Sequence, residues 1–128
     1  MSNLSDYAET LLANFIANAQ TATRPTSWYL GLFTAAPSDA GGGTELSGSG
    51  YARQAATFGA ASSGVVSNTS THTYTASGGS WGTITHYGVF DALTTGNLLW
   101  HGALTTPRTI ADGESLTVAA GAFTLTMA

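Results

Sequence analysis

The feature that most constrains the fold of this chain is a series of short segments with an apolar period of two, separated by glycine-rich turns. In residues 27–34, Trp28, Leu30 and Leu32 fall on one face of a strand, while Tyr29 and Phe33 fall on the other. Glycine-rich turns follow at Gly41-Gly42-Gly43, Gly48-Ser49-Gly50 and Ser77-Gly78-Gly79-Ser80. Short strands at this spacing are typical of β-sandwiches and jelly rolls, which protect strand edges by doubling the sheet.

The sequence therefore predicts a mainly β body, a β-sandwich or jelly roll of about seven or eight strands. Its clearest pair is a hairpin of residues 82–91 and 97–104, joined by a loop of residues 92–96. The other predicted strands are residues 51–58, one or two weaker strands in residues 65–76, and residues 114–119 and 122–127. At 128 residues the chain has the length of one domain, with a helix in residues 1–22 and a body in residues 23–128.

The N-terminal segment has a different period. Apolar residues recur at i, i+3 and i+4 over residues 3–21, which predicts an amphipathic helix. Ser5 or Asp6 can cap this helix, because Asp6 and Glu9 form a D-x-x-E arrangement close to a capping box. The helix should end before Pro25, since the residue that precedes a proline is displaced from the α region.

The apolar stripe of this helix is a candidate assembly interface. Burying each such side chain contributes roughly 1.5–3 kcal/mol, so the stripe needs a cover. The cover is either the chain's own body or a neighbouring protein, and the polar character of residues 20–26 favours the neighbour. The predicted interface residues are Leu4, Leu11, Leu12, Phe15 and Ile16.

The surface of this chain must carry little charge, because charged residues make up only 8% of it, where roughly 25% is usual. Such a surface does little to keep copies apart, so we expect a homo-oligomer. The net charge is −4, lysine is absent and the three arginines are scattered, which argues against nucleic-acid binding. The sequence has neither a membrane-length apolar run nor a signal-peptide pattern, so we expect no membrane association and synthesis in a cytoplasm.

One motif has the form of a catalytic serine site. Gly78-Gly79-Ser80-Trp81-Gly82 matches the G-x-S-x-G nucleophile elbow, and Asp91 and His101 follow in the order that α/β-hydrolases use. The elbow requires a helix after the serine, whereas residues 83–87 continue as a strand. We therefore expect a structural turn at Ser80 and no enzyme activity.

The three histidines are weak candidates for a metal site. His72, His86 and His101 have no carboxylate or cysteine partner at a ligand spacing. Only a threefold axis that brings three copies of one histidine together would form a site. No metal and no cofactor is therefore expected.

The tryptophans allow two interpretations. Aromatic faces suit the apolar planes of sugars, so Trp28, Trp81 and Trp100 are candidate glycan contacts. In so small a domain such residues belong more often to the core, which is the favoured interpretation.

Several segments carry a resemblance to a known family. They are Ser27-Trp28-Tyr29-Leu30-Gly31-Leu32-Phe33-Thr34, Thr44-Glu45-Leu46-Ser47-Gly48, Gly50-Tyr51-Ala52-Arg53-Gln54, Gly79-Ser80-Trp81-Gly82-Thr83-Ile84-Thr85-His86, Gly88-Val89-Phe90-Asp91 and Gly96-Asn97-Leu98-Leu99-Trp100-His101-Gly102. In these segments the sequence resembles small virion proteins of tailed bacteriophages, usually described as tail-fibre proteins.

The resemblance implies a non-enzymatic structural protein of the virion, made in the cytoplasm of the bacterial host. Its expected partners are copies of itself and other virion proteins, and this kind of protein favours a homotrimer. Proteins of this size and architecture also serve as capsid decoration, so head and tail locations both stay open. The alternative of another class is a carbohydrate-binding module that recognises a host-surface glycan.

Overall fold

The computed structural model describes residues 2–18 and 21–126 of the chain. Strands dominate this part of the molecule, and one helix lies near its N-terminus. In chain order the elements are β1 (Ser2–Leu4), α1 (Asp6–Ala17), β2 (Trp28–Ala35), β3 (Thr44–Glu45), β4 (Gln54–Ala56), β5 (Val65–Ser67), β6 (His72–Thr75), β7 (Gly82–Phe90), β8 (Leu98–Ile110), β9 (Ser115–Val118) and β10 (Thr124–Thr126). The prediction of a mainly β body with an N-terminal helix is confirmed.

The largest element is a six-stranded antiparallel sheet with the order β1-β8-β7-β2-β3, in which β4 also pairs with β2. The register of its centre brings two glycines face to face, because Gly31 of β2 lies opposite Gly88 of β7. Gly31 is required there: a Cβ atom on it would lie 2.8 Å from Glu45 Oε2 and 3.1 Å from Phe90 Cε2. The sheet therefore packs bulky side chains against bare backbone at its centre.

A second layer consists of two two-stranded sheets, β6-β9 and β10-β5. Residues alternate between buried and exposed along β6 and β9, as expected for strands with one face on a core. The core lies between these strands and the six-stranded sheet; its buried members are Leu30, Leu32, Ala56, Tyr74, Ala76, Trp81, Ile84, Tyr87, Val89, Leu99, Trp100, Ile110, Leu116, Val118 and Phe123. Two layers around one core agree with the predicted sandwich, and the jelly-roll path stays a prediction.

The predicted hairpin is present as β7 and β8. The Asp91 carboxylate closes its loop by accepting hydrogen bonds from the backbone and side-chain nitrogens of Asn97, at 2.7 and 2.9 Å. The predicted end of the second strand at residue 104 is wrong, since β8 continues to Ile110. Residues 104–107 bulge out between two paired positions, and Pro107, which has no N–H to donate, is tolerated in this irregular stretch.

The predicted helix start at residue 3 is also wrong. Residues 2–4 form β1, in which Leu4 pairs with Trp100 of β8, and α1 begins only at Asp6. Ser5 is the N-cap, as one of the two predicted caps, and its side chain accepts a hydrogen bond from Ala8 N. The predicted strand at residues 51–58 is reduced to β4, and residues 19, 20 and 127 lie outside the described residues.

The weak segment at residues 65–76 contains two strands, β5 and β6, in agreement with the prediction of one or two. Within the described parts of the chain, no helix is long and apolar enough to cross a membrane.

Candidate assembly interface

The first turn of α1 is fixed firmly to the body. Ser5 donates from its backbone N to Leu99 O at 2.9 Å, and its hydroxyl donates to Leu98 O, so the N-cap residue is tied to β8. The next residue, Asp6, donates from its N to Asp39 O at 2.8 Å. Ser5 and Ala8 are buried, at 1% and 7% exposure. The N-terminal end of the helix is therefore held in one place by β8 and by the loop that carries Asp39.

The last turns of α1 extend beyond the body. Ala8 and Phe15 are seven residues apart and so lie on nearly the same face of the helix. Ala8 is buried on that face, whereas Phe15 is 74% exposed and its neighbour Ile16 is 76% exposed. The body thus covers this face at its beginning and leaves it open at its end. Phe15 and Ile16 are the most exposed large apolar residues of the described chain.

A shallow apolar pocket lies beside these residues. Leu11, Leu12 and Phe15 form one wall, and the segment after the helix forms the other with Ala22 and Pro25. The pocket has a volume of about 370 Å³ and Arg24 lies at it as the single charged residue. It is large enough for one or two apolar side chains, and nothing in the described residues fills it.

The predicted interface residues are only partly brought together. Leu11, Leu12 and Phe15 share the pocket and Ile16 follows on the next helical position. Leu4 is not on the helix: it lies in β1 and packs, partly buried, against the main core. The prediction that Leu4 belongs to the helical stripe was wrong, because pairing with β8 outweighs the local apolar period. The remaining four residues form the apolar face of α1, on which Leu11 and Leu12 are half-buried and Phe15 and Ile16 are exposed.

Acidic and basic groups flank this face. Glu9 lies three and seven residues before Leu12 and Ile16, so it shares a side of the helix with them. Glu9 and Arg24 are both exposed, and the side chain of neither has a hydrogen bond or an ion pair to any residue in 2–18 or 21–126. A free carboxylate therefore lies on α1, and a free guanidinium lies at the pocket beside the helix.

The serine motif does not form a catalytic triad. Ser80 lies in an exposed turn before β7 and Asp91 directly follows that strand, so the two are separated by its whole length, about 30 Å. Asp91 is engaged with Asn97, and His101 Nε2 lies 2.9 Å from Asp39 Oδ1 instead. The turn interpretation is supported by the hydrogen bond from Gly78 N to the Asp112 carboxylate at 2.9 Å.

The histidines occupy separate environments. His72 is buried, with Nδ1 3.3 Å from Gln54 Oε1, and its Nε2 has no hydrogen-bond partner in the described residues. Burial lowers the pKa of His72 below its ordinary value. His86 lies beside Thr85, with Nδ1 2.8 Å from its hydroxyl. In residues 2–18 and 21–126 no three His, Asp or Glu side chains lie close enough together to hold a metal ion.

The three tryptophans lie in or against the core. Trp81 and Trp100 are 6% and 5% exposed, and Trp81 Nε1 donates to Ser49 O at 3.0 Å. Trp28 is half-buried and meets Phe58 edge to face. The rings of Trp81 and Trp100 present no open face to solvent. A glycan contact at these positions stays a prediction, and the geometry favours the core interpretation.

A cluster around Arg53 lies outside every site that the sequence predicted. Its guanidinium meets both oxygens of the Glu45 carboxylate at 2.8 Å and stacks 3.5 Å from the centre of the Phe90 ring. It also donates to Ala92 O and Thr95 O, at 2.9 and 2.7 Å, in the β7–β8 loop. The sequence offered one signal of this cluster: Arg53 is one of only three arginines in the chain.

The Tyr51 hydroxyl completes this cluster. It donates to Glu45 Oε2 at 2.7 Å and accepts from Leu32 N at 3.0 Å. Burial and the bond to Glu45 raise the pKa of Tyr51 far above its ordinary value, so the hydroxyl stays protonated. The cluster joins β2, β3 and the hairpin loop, and every charged group in it is engaged. The cluster therefore has a structural role: it stabilises the packing of these segments against one another.

A family model described as Podophage GP4 fiber I protein gp80 matches residues 3–126. The match covers α1, the six-stranded sheet and the second layer. A search among curated proteins found no match for the chain.

Proposed function

We propose that this chain, which belongs to the family described as Podophage GP4 fiber I protein gp80, is a non-enzymatic tail-fibre-type protein that works by assembly. The family is one of phage fibre proteins, and the chain is accordingly a structural component of a virion. The finer proposal is that it forms a homo-oligomer, a trimer by preference, and contacts other virion proteins. Synthesis in the host cytoplasm belongs to the same proposal.

The exposure of Phe15 and Ile16 is the observation that carries this proposal. Both side chains lie on a helix whose first turn is tied to β8, so the helix cannot simply fold its last turns onto the body. Each would contribute roughly 1.5–3 kcal/mol if it were fully buried. A face that is rigidly presented and apolar is suited to a contact with another protein.

The other candidate sites support the same conclusion. Asp91 and His101 are engaged in separate structural contacts, Ser80 lies in an exposed turn at the other end of β7 from Asp91, and the Arg53 cluster uses its charges internally. The most prominent chemistry left on the surface is apolar and lies on α1.

Incorporation into phage particles tests the proposal. Phage that encode the chain with both Phe15→Ser and Ile16→Ser should assemble particles that lack this protein, because its contact face has become polar. Leu93→Ser is the matched control, since Leu93 is also exposed, at 51%, but lies in the β7–β8 loop. The control chain should be incorporated normally. Normal incorporation of the double variant would contradict the proposal.

Labelling of intact particles with an antibody separates the two virion locations. Label on the tail supports a fibre role, whereas label over the head would show capsid decoration, and the fibre part of the proposal would fail.

A further inference from the structure

A cavity of about 320 Å³ opens between the two layers, on the side of the molecule where β8 faces β9. Residues 103–106 and Arg108 line one side of it, and residues 116–119 line the other. Strand β1 covers the outer edge of β8 only at residues 100–102, and within the described chain no strand pairs with that edge further along β8. The cavity therefore lies where the sandwich stays open.

Arg108 has a position in this cavity that is unusual for a charged residue. It pairs directly with Ile84 of β7, which is fully buried, and directly opposite residues of antiparallel strands place their side chains on the same face. Ile110, two residues further along β8, is buried on that face as well. Arg108 is nevertheless exposed. It therefore lies on the core-facing side of the sheet, at the point where the second layer no longer covers it.

The guanidinium of Arg108 has no acidic partner. Its side chain makes no hydrogen bond or ion pair with any residue in 2–18 or 21–126, and no Asp or Glu is among the described residues that line the cavity. The Arg53 guanidinium, by contrast, binds the carboxylate of Glu45. A free guanidinium in a concave site is suited to bind the carboxylate of a ligand, because its planar fork of N–H donors matches both carboxylate oxygens.

The rest of the cavity offers both hydroxyl groups and apolar surface. Thr105 and Thr106 line it from the bulge of β8, and within the described chain neither side chain has a hydrogen bond. Apolar surface comes from Leu104, Ala119 and Ala122. A sugar ring combines hydroxyl groups with apolar faces, so it matches both kinds of lining. The volume is at the lower end of the range of about 300–1,000 Å³ for small-molecule sites, which suits a single sugar unit.

We propose that this cavity binds one unit of an acidic saccharide, a sugar ring that carries a carboxylate. The carboxylate binds the guanidinium of Arg108. The sugar hydroxyls form hydrogen bonds with Thr105 and Thr106, and an apolar face of the ring packs on Leu104 and Ala122. The site uses no residue of α1, so the inference is independent of the proposed function and adds a binding activity to assembly.

The backbone of β8 argues against a peptide strand as the ligand. An added strand needs a regular row of backbone donors and acceptors at the edge of a sheet. Residues 104–107 bulge out of register and Pro107 has no N–H to donate, so this edge lacks such a row. Bulges, prolines and charges at an edge also protect it against pairing with other chains, so binding has to be measured apart from aggregation.

Titration of the ¹⁵N-labelled chain with sodium glucuronate, followed through amide chemical shifts, tests the site. Glucuronate has about thirteen non-hydrogen atoms, for which the efficiency of drug-sized ligands gives a dissociation constant of about 1 mM. Titration to about 20 mM, twenty times that value, therefore approaches saturation. The shifts should concentrate in residues 103–108 and 116–122.

Substitutions of Arg108 identify the group that binds the carboxylate. Arg108→Met should raise the dissociation constant at least about tenfold, because hydrogen bonds to a charged group are lost. Arg108→Lys should lie between this variant and the wild type, since it keeps the charge and loses the fork of donors. Arg24→Met is the matched control and should bind normally, because Arg24 is also exposed and unpaired but lies beside α1.

Other ligands define the results that overturn the proposal. Glucose lacks the carboxylate and should bind at least about tenfold more weakly than glucuronate, so equal binding would remove the role of Arg108. Acetate that binds as tightly as glucuronate would show a site for a bare anion, and N-acetylglutamic acid amide that binds more tightly would show a site for an acidic peptide. If glucuronate shifts no amide in these residues and Arg108→Met aggregates, Arg108 serves only to protect the edge.

Discussion

Replacing Arg53 by Met should lower the free energy of unfolding by about 3 kcal/mol. Removing one partner of a buried ion pair usually costs about 3–5 kcal/mol, because the other charge is left without compensation. The Arg53 side chain is 8% exposed, but that of Glu45 is 23% exposed, so water can partly solvate the orphaned carboxylate. We therefore expect the lower end of the range. Methionine keeps an unbranched apolar stem but loses the guanidinium over Phe90 and every donor to Glu45, Ala92 and Thr95.

Urea unfolding followed by tryptophan fluorescence measures this change. Arg108→Met is the matched control, because Arg108 is exposed and has no ion pair in the described residues; it should change stability by less than about 0.5 kcal/mol. Adding Glu45→Gln to Arg53→Met removes the orphaned charge and should recover part of the loss. If Arg53→Met costs less than about 1 kcal/mol, the pair behaves as a surface salt bridge and the reasoning is refuted.

Three further changes follow from the packing and the protonation of single residues. Gly31→Ala places a Cβ 2.8 Å from Glu45 Oε2, so urea unfolding should show a loss of about 1–3 kcal/mol; an unchanged midpoint would contradict the close packing. Because burial lowers the pKa of His72 from 6.5, the unfolded chain binds more protons, and stability should fall as pH drops below about 6.5. His72→Gln should remove that part of the decline, and an identical pH dependence in both chains would count against it. Ser80→Ala should change stability by less than about 1 kcal/mol, and an esterase activity that disappears with it would refute the structural role of the turn.

Local signals explain what the sequence predicted well. The β7–β8 hairpin has alternating apolar residues, a short loop and a glycine at residue 96, where φ is +74° and the left-handed region is required. The N-cap at Ser5 and the mainly β body follow from equally local patterns. Each of these depends on neighbours within a few residues along the chain, which a sequence displays directly.

Non-local pairing explains what was missed. Leu4 continues the apolar period of the helix, but residues 2–4 form β1, because β8 offers a free edge almost one hundred residues away. The predicted hairpin strand ends at residue 104, before Pro107, whereas β8 continues past this proline and absorbs it in a bulge. Arg53 donates hydrogen bonds to Glu45, 8 residues away along the chain, and to Ala92, 39 residues away. No periodicity in the sequence reveals these contacts. Likewise, the spacing of Leu11, Phe15 and Ile16 predicted a face without showing which part of it the body covers.

The central claim is that the last turns of α1 are covered by another chain in the virion, and thiol labelling tests it most directly. The sequence has no cysteine, so Ile16→Cys supplies a single probe on the exposed face and Leu93→Cys supplies a matched probe in the β7–β8 loop. Maleimide should label both variants at similar rates in the isolated, dilute chain. In intact particles Ile16→Cys should react at least about tenfold more slowly, because a contact worth 1.4 kcal/mol already protects to that extent. Equal labelling of Ile16→Cys in particles and in the dilute chain would contradict the account.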